Sequence, residues 1–325
     1  MTKHKRVILL AEPLSFSKEA SRRIGKLGRL IQGPFTRREL LARIRNADIL
    51  WVRLGHRIDR DVLAAAPRLR CIVSPTTGLD HIDQNECRRR GIPVLSLKGQ
   101  SGFLRTVTGT AEHAIGLTLS LLRHSHASME DVCAGHWRRS PFIGRQTSSL
   151  TLGLVGLGRL GKMMARLGRP LFGRLLGTDP RLRFNIPGLE WVSFQKVLKE
   201  SDVVSIHVDA NPSTHDLFGA KELGRMKKGA YFINTSRGSL INESVLLRSL
   251  QSGRLAGAAL DVLANEHRPG FDPRREALVR YAASHSNLLI TPHIGGATQE
   301  SMEDTEIFMA QLLEDYLKSP GSRSS

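Results

Sequence analysis

The sequence predicts an α/β fold: a doubly wound parallel sheet of Rossmann type, inserted into a second, flavodoxin-like α/β domain. Three observations carry that expectation. Over the first hundred residues short apolar runs alternate with amphipathic stretches, which implies parallel strands joined by helical crossovers. A glycine-rich turn, Gly156-Leu157-Gly158-Arg159-Leu160-Gly161, lies between the apolar run Leu150–Val155 and the amphipathic stretch Arg159–Leu171. A last helical pattern, Thr298–Leu317, has no strand after it and is expected to pack back onto the first domain. The expected division is residues 1–100 with 291–325, and residues 101–290.

The elements follow in order. Val7–Leu10 reads as a strand, Lys18–Leu30 and Thr36–Ala47 as helices, and Asp48–Leu54 as the next strand. Asp59–Ala66 is a helix stopped by Pro67, and Leu69–Ser74 a strand running into the loop Pro75-Thr76-Thr77-Gly78. Asp80–Arg90 is a helix, Pro93–Leu97 a strand, and Ser101–Thr108 a loop. Thr110–Arg123 is a helix apolar nearly all round, and so expected to be buried. Beyond the glycine turn come strand Arg174–Thr178, strand Val203–Val208 and helix Lys221–Lys228. Strand Ala230–Asn234, helix Glu243–Ser252, strand Leu255–Val262 and strand Leu288–Ile290 complete the second domain. The final residues, Ser319–Ser325, are expected to fray.

Composition excludes several classes. With 325 residues, 40% hydrophobic and 24% charged, the chain can bury two ordinary cores. No apolar run approaches the roughly 20 residues that span a membrane. Val7–Ala11 is too short for a signal-peptide core and is followed by Glu12-Pro13. Three scattered cysteines, Cys71, Cys87 and Cys133, suit a reducing, cytoplasmic setting and offer neither a disulfide framework nor a metal site. The net charge of +18 is spread along the chain: residues 1–100 hold 21 Lys/Arg against 9 Asp/Glu, and residues 291–325 hold 2 against 6. With 5% aromatics and no helix-turn-helix or zinc-finger pattern, the charge does not by itself predict nucleic-acid binding. Steering of anionic ligands accounts for part of it.

The glycine turn carries the most chemistry. Gly156 allows the tight turn, Gly158 lets backbone approach a pyrophosphate, and Gly161 lets helix and strand pack closely. Arg159 and Leu160 complete the turn. Asp179 ends the next strand, 18 residues past Gly161. A carboxylate there accepts hydrogen bonds from a ribose 2′-OH and repels a 2′-phosphate, so the cofactor expected is NAD rather than NADP. Arg181 nearby softens that preference.

Six segments in order resemble the D-isomer-specific 2-hydroxyacid dehydrogenases over nearly the whole chain. They are Thr77-Gly78-Leu79-Asp80-His81-Ile82-Asp83, Thr110-Ala111-Glu112-His113, the glycine turn with Asp179, Asn234-Thr235-Ser236-Arg237-Gly238, Ala259-Leu260-Asp261-Val262 with Glu266, and Thr291-Pro292-His293-Ile294-Gly295-Gly296. The resemblance implies an NAD-dependent enzyme that interconverts a D-2-hydroxy acid and its 2-keto acid. Arg237 would clamp the substrate carboxylate, because a guanidinium fork matches a carboxylate. His293 would be the acid/base, since imidazole titrates near neutral pH. Glu266 would orient it. Two departures bear on Glu266: the family usually has proline next, where this chain has His267, and 26 residues separate Glu266 from His293, a longer and basic connection (Arg268, Arg274, Arg275, Arg280).

The resemblance further places Asp261 on the nicotinamide carboxamide, with His207, Thr235, Ser236, Gly295 and Gly296 lining the cofactor site. Thr77 and Gly78 would present backbone N–H groups to the substrate carboxylate. Arg53, at the end of a strand in the same domain, is expected to reach a second anionic group such as a phosphate. A homodimer through the nucleotide domain is implied, with Trp137 and Phe142 as anchors on an arm at about residues 101–150. The regulatory domain that some phosphoglycerate enzymes append, and feedback control through it, are not expected. A regulatory or scaffold protein on the same fold, resembling the family's corepressors, is the alternative.

Overall fold

The computed structural model describes residues 5–181 and 185–319. It divides into two compact units, Met1–Thr106 with His267–Pro269 and Thr298–Ser325, and Val107–Glu266 with Gly270–Ala297.

In the first unit β1 (Val7–Leu10), α1 (Lys18–Leu27), β2 (Arg29–Gln32), α2 (Arg37–Ile44), β3 (Ile49–Trp51), α3 (Arg60–Ala64), β4 (Cys71–Ser74), α4 (Gln84–Arg89) and β5 (Val94–Ser96) alternate in sequence. The five strands are all parallel, in the order β2-β1-β3-β4-β5, the flavodoxin-like arrangement. Helices cover both faces, so β1, β3 and β4 are buried along their length and read as continuous apolar runs. Helix starts are set by short polar caps: Ser17, Thr36, Asp59 and Asp83 each accept a backbone N–H of the first turn, Thr36 in a reciprocal capping box with Glu39.

The second unit begins with α5 (Gly109–Leu122) and α6 (Ser125–Cys133), then β6 (Thr151–Val155), α7 (Arg159–Gly168), β7 (Arg174–Thr178), β8 (Leu189–Trp191), α8 (Phe194–Glu200) and β9 (Val203–Ile206). It continues with α9 (Ala220–Arg225), β10 (Ala230–Asn234), α10 (Glu243–Gln251), β11 (Leu255–Leu260), α11 (Ala277–Ala282) and β12 (Leu288–Ile290). Its seven parallel strands run β12-β11-β10-β9-β6-β7-β8, a Rossmann order that reverses between β6 and β9. The apolar α5 packs on α7, β10 and β11, burying Ala111, Ala114, Leu117, Leu121 and Leu122. The chain then returns to the first unit as α12 (Gln299–Lys318), which lies against α1.

Several elements differ from the sequence reading. The helix expected through Leu30 ends at Leu27, and Arg29–Gln32 is an edge strand paired to β1. Its exposed Arg29 and Gln32, flanking the half-buried Leu30 and Ile31, gave it no strand signature. β8, α6, α8 and α11 were not anticipated; they are short, and packing stabilises them more than propensity does. The first unit extends past residue 100 because Phe103 stacks on Phe308 of α12, ring centroids 4.1 Å apart. Thr291–Ala297 stays with the second unit because Asp261 holds it there, as set out below. The basic connection after Glu266 contains α11, which packs on α10 and β12, and Asp272 pairs with Arg274 and Arg275. The tail expected to fray lies, from residue 320 on, outside the described residues.

Candidate active site

The glycine turn closes β6 onto α7. Gly156 has φ +87°, and a Cβ there would sit 2.6 Å from the His207 carbonyl oxygen. Gly161 faces it, since a Cβ at Gly161 would meet the Gly156 carbonyl oxygen at 2.0 Å. Strand and helix therefore approach at a distance that only two glycines permit. A Cβ at Gly158 would meet nothing within 4 Å, so open space lies in front of the α7 N-terminus. Gly158 caps that helix without a side-chain hydrogen bond, and Arg159 and Leu160 form its first turn, so its leading N–H groups face the opening. Arg159 donates from Nη1 to the Val107 carbonyl, 2.7 Å, and burial lowers its pKa.

Asp179 folds back onto the turn. The Leu157 N–H donates to its Oδ2 and the Arg181 N–H to its Oδ1, each at 2.9 Å. His207 follows β9 and anchors to the sheet through its N–H, 2.7 Å to the Val155 carbonyl. Its Nε2 meets the Ser205 hydroxyl at 3.0 Å, and burial pushes its pKa down to about 4, so the ring is neutral at pH 7. Among the described residues the His207 Nδ1 and the Thr235 Oγ1 are buried polar atoms with no hydrogen-bond partner. Such atoms call for a ligand. Together with the open helix terminus they fit a dinucleotide.

The Asn-Thr-Ser-Arg-Gly segment leaves the carboxyl end of β10. Asn234 is fully buried; its Nδ2 donates to the Arg237 carbonyl, 2.8 Å, and its Oδ1 accepts the Ser236 N–H, 2.9 Å. Ser236 donates its hydroxyl to the Ile206 carbonyl, 2.9 Å. These bonds fix the turn that presents Arg237, whose Nη1 also donates to the Ser236 carbonyl, 2.6 Å. Gly238 brings the next segment in: a Cβ there would lie 2.1 Å from the backbone of Leu263. The Arg237 turn and the Leu263–Glu266 turn are thus in direct backbone contact.

Glu266 closes its own turn by accepting the Leu263 N–H on Oε2, 3.1 Å, and its Oε1 lies 2.6 Å from Nδ1 of His293. Glu243, at the start of α10, steadies the same turn by accepting the Ala264 N–H at 2.7 Å; burial raises its pKa. His293 adopts φ +54°, a left-handed conformation that costs a non-glycine residue about 1–3 kcal/mol.

Asp261 imposes that conformation. Its backbone carbonyl accepts the His293 N–H, 2.8 Å. Its Oδ1 accepts the Thr291 hydroxyl, 2.5 Å, and the Ile294 N–H, 2.9 Å; its Oδ2 accepts the Gly295 N–H, 2.8 Å. These bonds give Asp261 a structural part in the site beside any contact with a cofactor. Its carboxylate, 1% exposed, holds the turn that aims His293. Gly295 is buried against it and Gly296 is exposed. His113 on α5, not singled out from the sequence, joins this network: its Nε2 lies 2.9 Å from the Thr291 hydroxyl and 3.3 Å from Asp261 Oδ1. The signal was its place in a family-like segment on an otherwise apolar helix.

In the first unit Thr77 and Gly78 sit on the loop after β4, tied down by Thr76, whose hydroxyl donates to the Gly78 carbonyl at 2.8 Å. Arg53, expected to reach a second anionic group, is otherwise engaged: it is ion-paired with the buried Glu306 and donates to the Leu14 carbonyl at 3.0 Å. Its charge is compensated within the protein.

A family model for the D-isomer specific 2-hydroxyacid dehydrogenase NAD-binding domain matches residues 115–295. The chain belongs to this family. It is 34% identical to the glyoxylate reductase of Thermofilum pendens, over 88% of this chain and 83% of that one. It is 31% identical to the hydroxypyruvate reductase of Thermotoga maritima, over 87% and 88% of the two chains. A D-3-phosphoglycerate dehydrogenase of Methanocaldococcus jannaschii is 29% identical over 96% of this chain, which spans 57% of that longer protein. Among solved structures, a D-lactate dehydrogenase from Aquifex aeolicus complexed with NAD and lactic acid superposes with a TM-score of 0.83 at 26% identity, covering 96% of each chain. The chain is accordingly an oxidoreductase of this family, and its cofactor is NAD. Among the described residues no helix is long and apolar enough to cross a membrane.

Proposed function

We propose that the chain interconverts a small D-2-hydroxy acid and its 2-keto acid, with His293 as acid/base, Glu266 as its orienting carboxylate and Arg237 as the carboxylate clamp. The observation that carries this reading is the 2.6 Å contact between His293 Nδ1 and Glu266 Oε1, on a left-handed turn held from below by Asp261.

The glycine turn, Asp179, His207, Thr235 and Ser236 would hold the dinucleotide. When bound, its nicotinamide supplies the hydride for reduction and accepts it in oxidation. Arg237 binds the substrate carboxylate as a planar fork and fixes the keto carbon in register. Glu266 accepts a hydrogen bond from His293 Nδ1–H, which leaves Nε2 to face the substrate. As the carbonyl oxygen gains negative charge, the imidazolium gives it the Nε2 proton; in oxidation the neutral ring takes that proton back. Glu266 stabilises the positive ring, and a neutral His207 adds no competing charge beside the glycine turn.

The test is NADH oxidation across a panel of 2-keto acids, with His293→Gln as the control. Turnover that disappears in the variant is the expected result. Tight NADH binding with no turnover on any member overturns the reading and leaves a regulatory or scaffold protein.

A homodimer through the second unit is part of this proposal. Trp137 is 91% exposed and Ile143 77%, and Met129 and Val132 are exposed on the same stretch, whereas Phe142 is half-buried. Apolar side chains this exposed and this close in sequence mark an interaction surface. Trp137→Ser with Ile143→Ser is expected to convert a dimer to a monomer by light scattering. A wild-type monomer at micromolar concentration contradicts it. The free thiols of Cys71, Cys87 and Cys133 support a reducing, cytoplasmic setting.

A further inference from the structure

Within the second unit, the turn that carries His293 rests on the first turns of α5, and a second histidine is built into that support. Thr110 and His113 stand three residues apart on α5, and so on one face of the helix. Thr110 packs on Gly295: a Cβ at Gly295 would lie 3.3 Å from the Thr110 Cγ2 and 3.6 Å from its Cα. One turn along, His113 brings its Nε2 to 2.9 Å from the Thr291 hydroxyl and 3.3 Å from Asp261 Oδ1. All of these residues belong to one compact unit.

Hydrogen-bond chemistry sets the direction of these contacts. Thr291 has one hydroxyl hydrogen, and its oxygen lies 2.5 Å from Asp261 Oδ1. A carboxylate only accepts, so that hydrogen goes to Asp261. The Thr291 oxygen then has only lone pairs to offer, and His113 must donate to it from Nε2. The donors run in series, from His113 Nε2–H to Thr291 O–H to Asp261. Asp261 in turn takes the N–H groups of Ile294 and Gly295 and, through its backbone carbonyl, that of His293. Both carboxylate oxygens are thereby fixed in direction. His293 sits at φ +54° at the end of this series, and a non-glycine residue stays there only where its surroundings over-determine it. Glu266 orients the His293 ring through Nδ1, whereas the series from His113 orients the backbone that carries the ring.

We propose that His113 is a positioning residue for the acid/base: by donating from Nε2 to Thr291 it orders the Asp261 carboxylate and so holds His293 in its left-handed turn. This rests on the dehydrogenase reading above and adds a residue to Arg237, Glu266 and His293 that acts on the reaction only through another.

The experiment compares wild type, His113→Gln, His113→Asn, Thr291→Val, and His113→Asn with Thr291→Val, using NADH and the 2-keto acids glyoxylate, pyruvate and hydroxypyruvate. A glutamine amide reaches about as far as imidazole Nε2 and can donate there; an asparagine amide reaches only as far as Nδ1. His113→Asn should lower kcat about tenfold, because a small misplacement of the acid is costly. KM and NADH affinity should change little, since the Arg237 turn is held by its own bonds to Asn234. His113→Gln should recover most of the loss, and the double variant should be no slower than Thr291→Val alone. Hydrogen exchange read by mass spectrometry should show the 291–297 segment exchanging faster in His113→Asn and at the wild-type rate in His113→Gln. Unchanged kcat and exchange in His113→Asn overturn the proposal. So does a loss that falls on KM or NADH affinity in place of kcat, or a glutamine variant as slow as the asparagine one. Should His113→Asn fail to fold, wild-type kcat and exchange in Thr291→Val overturn it. If the wild type turns over none of the 2-keto acids, the dehydrogenase reading fails, and exchange of the 291–297 segment alone decides whether His113 holds the turn.

Discussion

If His293 is the general acid proposed, its replacement with glutamine should lower kcat by roughly 10³-fold and leave NADH affinity intact, because a general acid contributes about 10²–10⁴ to such a step and the variant leaves the glycine turn untouched. The side chain does not hold its own turn together; the bonds to Asp261 come from backbone N–H groups of residues 293, 294 and 295. The loss should therefore appear in kcat, with the melting temperature little changed. Glu266→Gln is the graded partner. It removes a charge-assisted hydrogen bond worth about 1.5–3 kcal/mol, a factor of roughly 10–10². Its effect should be largely absent in the His293→Gln background, since the two groups act as one unit. Steady-state kinetics of the two single variants and the double variant measure this. Additive losses would show that Glu266 acts independently of His293.

Under the proposed roles, replacing Arg237 with alanine should lower kcat/KM by about 10²–10⁴-fold, since two charge-assisted hydrogen bonds of about 1.5–3 kcal/mol each to the substrate carboxylate would be lost together. Arg237→Lys restores the charge but not the fork, and recovers only part of the loss. The backbone around Arg237 is fixed by Asn234 and by close packing of Gly238 on Leu263, so neither variant should displace Glu266. Unchanged NADH binding by fluorescence, beside a collapse in kcat/KM, is the expected pattern. A variant that saturates normally with 2-keto acid would remove Arg237 from the carboxylate.

Much of the fold was legible in the sequence because the signals are local. Buried parallel strands such as Ala230–Asn234 read as unbroken apolar runs, and both ends of that strand fall where the residues place them. The glycine turn announced its strand, its helix and its ligand class together. Edge strand Arg29–Gln32 was missed because half its surface faces solvent, so its side chains follow no two-residue alternation. The turn-holding part of Asp261 was not legible, because only the folded chain places the Ile294 and Gly295 N–H groups on its carboxylate. His113 lies 178 residues from Thr291, and no local pattern links them.

Sequence by itself determined the class of the protein: where most of the buried strands run, where the dinucleotide turn lies, and that an arginine, a glutamate and a histidine suited to the proposed chemistry occur in the order the family has them. Tertiary structure decided what each charged group is free to do. Arg53 looked available on paper and is paired with a glutamate 253 residues away; His293, singled out from its segment, is driven into a left-handed turn by a buried aspartate whose part the sequence did not show. The physical reason is the same in both cases. A charge acquires its function from the partners that burial places within hydrogen-bonding distance, and those partners are set by how the chain folds back on itself.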